Sequence, residues 1–331
     1  MARRDRIIAY SALAAVFFFW GTTYLAIRIG LETLPPTLFA GIRFITAGTL
    51  LFTLLRGWRG ERLPVGREWL HQAVVGLMLL GVGNGLVVWA EVWIPSGMAA
   101  LLVATSPFWV AGFERIRSDG ERVSLRALAG MLIGFGGLIL LVAPGLFGES
   151  LGLRYLLGMA AIQVGCASWS GGSVYVKHKE TKVAPLMGAA VQMLFAGVAL
   201  TLIGTGLGEW RVLHFSPRSL AALSYLIIFG SIVAYGSYTY AVQKLPLSIV
   251  STYSYVNPVI AVLLGWVVLS EPLGWRMLTA MLIILGGVAL VKTAARRPAG
   301  STVAKQTFSV EATPRPEVLS ATPNACSVTT Q

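Results

Sequence analysis

Residues 94–110 read IPSGMAALLVATSPFWV, and residues 245–262 read LPLSIVSTYSYVNPVIAV. The two stretches align on their prolines: Pro95 and Pro246 are 151 positions apart, and so are Pro107 and Pro258. Other matches recur at nearly the same offset. Trp20 and Trp169 lie 149 apart, as do Ala47-Gly48 and Ala196-Gly197, each preceded by a polar residue, Arg43 and Gln192. Glu121 and Glu271 are 150 apart, as are Gly136-Gly137 and Gly286-Gly287. An offset that drifts by one or two residues across such a distance marks an internal repeat rather than chance likeness between apolar segments. In a hydrophobic chain, such a repeat implies two related helix bundles with a path between them.

Hydrophobic residues make up 56% of the 331 residues and charged residues 12%, against about 25% charged in a soluble domain. Mean hydropathy is +0.73. Crossing a bilayer takes roughly 20 apolar helical residues, because each adds about 1.5 Å to a path about 30 Å thick. Runs free of Asp, Glu, Lys and Arg recur at 7–27, 69–90, 92–113, 127–148, 155–176, 183–208, 219–243 and 245–270. Two more, 36–55 and 273–291, are interrupted by Arg43 and Arg276. The expectation is an all-α integral membrane protein with ten transmembrane helices, five in each half. The first apolar run exceeds the 7–15 residues of a signal-peptide core and no A-x-A site follows, so a retained helix is expected there.

The net charge of +12 is unevenly placed. With the N-terminus in the cytoplasm, 20 Lys and Arg fall on the cytoplasmic side and five (Arg28, Arg154, Arg211, Arg218 and Arg276) on the other. Positive charge collects inside, so both termini are expected in the cytoplasm. The basic balance is thus a topology signal, not a nucleic-acid surface. Five helices per repeat is an odd number, so the two repeats are expected to be inverted. The expected organisation is a basic lead (1–6), a first repeat (7–142), a Gly/Pro-rich linker (143–153), a second repeat (154–292) and a tail (293–331). The tail is rich in Ser, Thr, Pro and Ala and has too little apolar surface to fold, so it is expected to be disordered.

Several stretches together resemble a known family. They are FWGTTYLAIRIGLETLPP (19–36), FAGIRFITAGTLL (39–51), GNGLVVWAEVWIPSGMAALLVATSPFWV (83–110), SWSGGSVYV (168–176), TYSYVNPVIAVLLGWVVLSEPL (252–273) and LGGVALV (285–291). The combination is similar to the EamA-domain proteins of the drug/metabolite transporter superfamily, in particular the inner-membrane YedA-like branch, over residues 7–292. The resemblance implies a ten-helix, inverted-repeat carrier in a bacterial inner membrane that exports small organic metabolites such as amino acids, amines or drug-like compounds. It also implies a central cavity between the halves. The segment FERIRSDGERVSL (113–125) departs from the family pattern by carrying Glu114, Arg115 and Arg117.

Charge or strong polarity at bilayer depth is costly, so such residues face the protein interior or a wet cavity. Arg43 lies about seven residues inside its span, roughly 10 Å deep by helix rise. It reads as an anchor for a substrate carboxylate, or as a structural cation bonded to carbonyls or paired with Glu91. Glu91, near the outer end of the third helix, reads as a proton-titratable gate or as a carboxylate reaching interfacial water. Trp20, Tyr24 and Arg28 step at i, i+4, i+8 and form one stripe. A ring followed by a cation suits an amphipathic solute; interfacial anchoring is the plainer reading, but Trp20 is too deep for it. Trp169 carries the same argument. Tyr235 with Tyr238, and Tyr253 with Asn257, each share a helix face. Asn84 and Gln192 are further polar groups at depth, for the cavity or for interhelical bonding. Pro107 and Pro258, at matched positions, are expected to break their helices and free carbonyls that a path could use.

Other chemistries find no support. Gly81-x-Gly83-x-Gly85 lies in an apolar helix without the strand or the Lys-Ser/Thr of a phosphate loop. His71, His178 and His214 are scattered, and the cysteines are Cys166 and Cys326, so neither a metal, a cofactor nor a disulfide is expected. A membrane enzyme would lack a catalytic cluster, and a lipid or polyprenyl-headgroup flippase would need a cationic groove open to the bilayer. No motif specifies the substrate, the coupling ion or the oligomeric state. Reporter fusions after Arg67, Lys182 and Arg297 should read cytoplasmic, and fusions near Glu32 and Gly148 external. An external reading after Arg297 would overturn the charge count and the inverted repeat.

Overall fold

The computed structural model describes residues 3–116, 125–147, 152–179, 181–251 and 253–295. Glu121 and nearly all of the expected tail lie outside the described residues. Within them the chain is helical: α1 (Arg3–Gly30), α2 (Pro36–Trp58), α3 (Arg67–Ala90), α4 (Ser96–Ile116), α5 (Leu125–Phe147), α6 (Leu153–His178), α7 (Pro185–Gly206), α8 (Pro217–Lys244), α9 (Tyr253–Leu269) and α10 (Trp275–Ala295). A one-turn helix, Leu247–Val250, precedes α9. α4 runs through Glu114 and Arg115 to Ile116.

Six of these, α1 to α4, α7 and α8, are long and apolar enough to cross a membrane. Shorter apolar stretches lie at Leu128–Gly137, Val256–Leu269 and Trp275–Leu290. α6 has the length, 26 residues, but carries Gln163, Ser168 and Ser170. These turn inward: Gln163 Nε2 donates to the Leu102 carbonyl (3.2 Å), Ser168 Oγ to that of Met78 (2.8 Å) and Ser170 Oγ to that of Ser106 (3.1 Å). Polar side chains can find partners on neighbouring helices in this way, which lowers the mean hydropathy of α6 while its exposed face keeps apolar residues such as Leu157 and Val164.

Proline starts several helices. Pro36, Pro185 and Pro217 stand in the first turn of α2, α7 and α8, where the missing N–H would have had no partner. Pro35 and Pro95, before α2 and α4, supply no capping side chain, and carboxylates distant in sequence do so instead. Glu209 accepts from Leu38 N (2.7 Å), and Glu271 accepts from Ser96 N (2.8 Å), Ser96 Oγ (2.9 Å) and Gly97 N (3.2 Å). Both satisfy orphan amides at the positive end of a helix dipole.

The 149-residue offset of the sequence recurs in the backbone. Wide, π-helical turns occupy Leu77–Asn84 in α3 and Leu226–Val233 in α8, and both spans are 149 apart at each end. Arg28, at the end of α1, donates to the carbonyls of Glu91 and Val92 after α3. Lys177, 149 positions on at the end of α6, donates to those of Val242 (3.0 Å) and Leu245 (2.9 Å) at the end of α8. Each cation satisfies the carbonyls that end a helix. Packing follows the same relation: α2 lies against α7, α5 against α10, α1 against α8 and α9, and α6 against α3 and α4.

Small residues set the closest of these contacts. A Cβ on Gly197 would meet Ile45 N at 2.6 Å, and one on Gly41 would meet Thr201 N at 2.8 Å. In α10, a Cβ on Gly287 would meet Gly130 O and Gly134 N, each at 2.6 Å. The obstacles are backbone atoms, so no rotamer change relieves them, and the helices can approach this closely only without side chains there. Gly197→Ala should therefore cost about 1–3 kcal/mol, read as a lowered thermal midpoint in detergent. Gly206→Ala, on the same helix with nothing within 4 Å, should show no such loss. Equal midpoints for the two variants would mean that the α2–α7 contact is not set by glycine.

Candidate functional site

α1, α2, α3, α4, α6, α8 and α9 enclose a cleft with an empty volume of about 680 Å³. Its centre is aromatic. The Trp20 and Trp169 rings, from matched positions, meet edge to face with centroids 5.3 Å apart. Tyr253 closes on Trp20 at 5.1 Å, also edge to face, and Tyr238, from just outside the cleft lining, packs on Trp20 at 5.0 Å with the rings tilted by 39°. These geometries suit ring quadrupoles. Both indole N–H groups are used: Trp20 Nε1 donates to the Gly230 carbonyl (3.2 Å) and Trp169 Nε1 to Tyr238 OH (3.2 Å).

Arg43 supplies the charge. The residue is 3% exposed, with Nε donating to Ser231 Oγ (2.8 Å) and the guanidinium 4.9 Å from the centroid of the Phe44 ring. Its Nη1 is buried and has no hydrogen-bond partner. A buried unpaired donor of a charged group is expensive, and an acceptor placed beside it would recover part of that cost. Asn84, on the π-helical turn of α3, likewise has a buried Oδ1 without a partner.

Of the residues singled out in the sequence, Trp20, Tyr24, Arg43 and Asn84 line this cleft from the first half, and Trp169, Tyr235, Tyr253 and Asn257 from the second. With its amide turned to satisfy its bonds, Asn257 Nδ2 donates to the carbonyls of Phe17 (3.1 Å) and Tyr253 (3.2 Å), so it ties α9 to α1 while forming part of the wall. Gln192 and Tyr238 line a second cavity instead. Glu91 is completely buried, and both its carboxylate oxygens lack a partner. The ion pair with Arg43 that the sequence allowed is not formed; the Arg43 guanidinium is turned to Ser231.

Two expectations change. Arg28 belongs to the Trp20–Tyr24 stripe by spacing but not to the cleft, because its guanidinium is engaged by the carbonyls of Glu91 and Val92. The helix breaks also differ from those expected of the prolines. α4 is interrupted at Ala104–Thr105, and Pro107 stands in the first turn after the gap. The Val103 carbonyl, four residues before that proline, accepts from Ser106 Oγ (2.7 Å). Pro258 lies inside α9, beyond the gap that follows Val250.

Sequence reading missed Ser231, Gln72 and Glu271. Ser231 and Gln72 are short or local polar residues whose partners, Arg43 and Gln192, come from far along the chain. Glu271 left one trace, its match with Glu121.

A helical membrane protein with a central cleft, at which the matched Trp20 and Trp169 meet, is the class these features define. The model of the EamA-like transporter family matches residues 7–143 and again 156–293; the chain belongs to this family, and falls in its YedA-like branch. It is 39% identical over 293 residues to the uncharacterized inner membrane transporter YedA of Escherichia coli K12, covering 88% of this chain and 92% of that one. It is 25% identical over 281 residues to the uncharacterized transporter YvbV of Bacillus subtilis, covering 85% and 90%. A crystal structure 23% identical in sequence shares the fold, with a TM-score of 0.63 over 90% of this chain and 100% of that one.

Because Arg28 caps carbonyls rather than lining the cleft, Arg28→Gln should lower stability by about 1.5–3 kcal/mol, the range for charge-assisted bonds. Solute affinity of the remaining folded protein should be unaltered. Thermal unfolding and binding on the same preparation check this; a weakened affinity with unchanged stability would return Arg28 to the site.

Proposed function

We propose that the chain is a secondary transporter of the bacterial inner membrane that exports small organic metabolites by alternating access. In this reading residues 7–142 and 154–292 form two inverted five-helix repeats with both termini in the cytoplasm. The matched π-helical turns, the matched carbonyl caps and the pairing of α2 with α7 and of α5 with α10 support it. So does the relation to YedA, an inner membrane transporter by name.

The observation that carries the reading is the Arg43 guanidinium, with one nitrogen unpartnered, at the wall of an aromatic cleft. An arginine offers a planar fork to a carboxylate, and the Trp20, Trp169 and Tyr253 rings offer apolar faces beside it. A small solute with an acidic head and an apolar body, such as an amino acid, matches that chemistry better than a simple amine. The walls come from seven helices, which favours an enclosed solute path over the lipid-facing groove of a flippase. Glu91, buried and unpartnered, is the candidate for a coupled proton.

Metabolite profiling of the medium with and without overexpression identifies the solute. Arg43→Ala should then cut export about tenfold to a hundredfold, the equivalent of one lost charged hydrogen bond, with membrane insertion intact. Trp20→Ala should also reduce export, and Arg43→Lys should rescue poorly. Glu91→Gln keeps shape and hydrogen bonding but cannot titrate, so it should flatten the pH profile of export. Arg43→Ala that fails to insert would make this arginine structural, and a wild-type pH profile in Glu91→Gln would eliminate Glu91 as the proton site.

A further inference from the structure

A second cavity, with an empty volume of about 420 Å³, lies among α3, α6, α7 and α8. Its polar lining includes His71, Gln72, Gln192, Tyr238 and Gln243, and His71 Nδ1 is buried without a partner. The two cavities are stacked along the same three helices. On α3 the central cleft takes Leu80 to Val87, and the second cavity His71 to Leu79. On α6 the cleft takes Gly165 to Trp169, and the second cavity Ser173 and Val176; on α8 the corresponding residues are Gly230 and Tyr235, then Tyr238 to Gln243. From Trp169 to Ser173 is one helical turn, about 6 Å. A single layer of side chains therefore separates the two spaces.

That layer is hydrogen-bonded across its thickness. Tyr235, from the cleft, donates its hydroxyl to Gln192 Oε1 of the second cavity at 2.5 Å, and Gln192 Nε2 donates to Gln72 Oε1 at 2.6 Å. Trp169, from the cleft, donates to Tyr238 OH at 3.2 Å, and Tyr238 OH lies 2.7 Å from Ser173 Oγ. Each of these bonds joins neutral partners, which water or a polar solute can replace at little net cost. No backbone bond of a helix has to break for the layer to part.

We propose that the two cavities are successive compartments of one solute path, and that the Tyr235–Gln192 and Trp169–Tyr238 pairs are the gate between them, shut in this structure. The second cavity, which in this state has room for little more than water, is then the compartment that widens when the layer parts. Its amides, hydroxyls and imidazole are placed to bond the head of the solute as it passes. The proposal rests on the transporter reading, but its test needs no transport.

Cys166 is the reporter. It lines the cleft on α6, is 2% exposed, and becomes the sole thiol once Cys326→Ser is made. The probe is a cationic, membrane-impermeant methanethiosulfonate, applied to membrane vesicles of either orientation. Gln243→Cys, in a background with Cys166→Ser and Cys326→Ser, identifies the face to which the second cavity opens. From that face, Tyr235→Phe combined with Gln192→Ala should speed modification of Cys166 at least tenfold. Tyr235→Phe alone, which keeps the ring and its packing, should speed it by a smaller factor in the same direction. An unchanged rate, or a rise equal from both faces, would overturn the gate. Faster labelling in a chain that moves no solute would keep the gate and remove the transport reading instead.

Discussion

The contact between Trp20 and Trp169 fixes the centre of the molecule. Two indoles that occupy matched places in the sequence meet edge to face, so the helices that carry them, α1 and α6, are held at one separation. The other central contacts depend on that distance. Trp20 reaches across to a carbonyl of α8, and Trp169 reaches a tyrosine of α8. Tyr253 of α9 closes against Trp20. A smaller residue at either position would leave a void that nearby rings could fill only by giving up their own hydrogen bonds. The aromatic cluster is therefore both the wall of the cleft and the spacer between α1 and α6.

Around this spacer the chain handles polar groups in two ways. At helix ends they are satisfied: Arg28, Lys177, Glu209 and Glu271 each close a set of backbone groups that a bilayer-embedded helix would otherwise leave bare. This follows from the cost of an unpaired backbone group away from water. At the cleft the pattern reverses. Arg43 and Asn84 each keep a buried polar atom without a partner there, and Glu91, just past the end of α3 and outside the cleft lining, keeps both carboxylate oxygens unpartnered. Such groups lower stability, and a solute or a proton that meets them recovers part of that cost.

Much of this was legible in the sequence because bilayer physics writes plainly. Long uncharged runs mark the helices, and a lone arginine or tryptophan inside such a run has few places to go but inward. Trp20, Arg43, Asn84 and Trp169 were readable on that ground. The recurring offset was readable because Pro95 and Pro246 and the Gly pairs keep their spacing, and nearly the same offset relates the π-helical turns of α3 and α8. The role of Arg28 was not, since the helical spacing that put it on the Trp20 face says nothing of the carbonyls waiting at the end of α3. Ser231 was silent for a similar reason: a serine in an apolar run gains meaning only once Arg43 arrives from α2. The division of Gln192 and Tyr238 from the cleft likewise depends on how α7 and α8 pack, which no local pattern records.

The proposed function requires that this chain alone move a small acidic solute through the aromatic cleft. Purified protein reconstituted in liposomes, loaded with an unlabelled aromatic amino acid and given a trace of the labelled form outside, tests it by counterflow. Transient uptake of label above protein-free liposomes is expected, and Arg43→Ala should remove it in an equally folded protein. Uptake indistinguishable from protein-free liposomes for aromatic, aliphatic and other small carboxylates alike would contradict it.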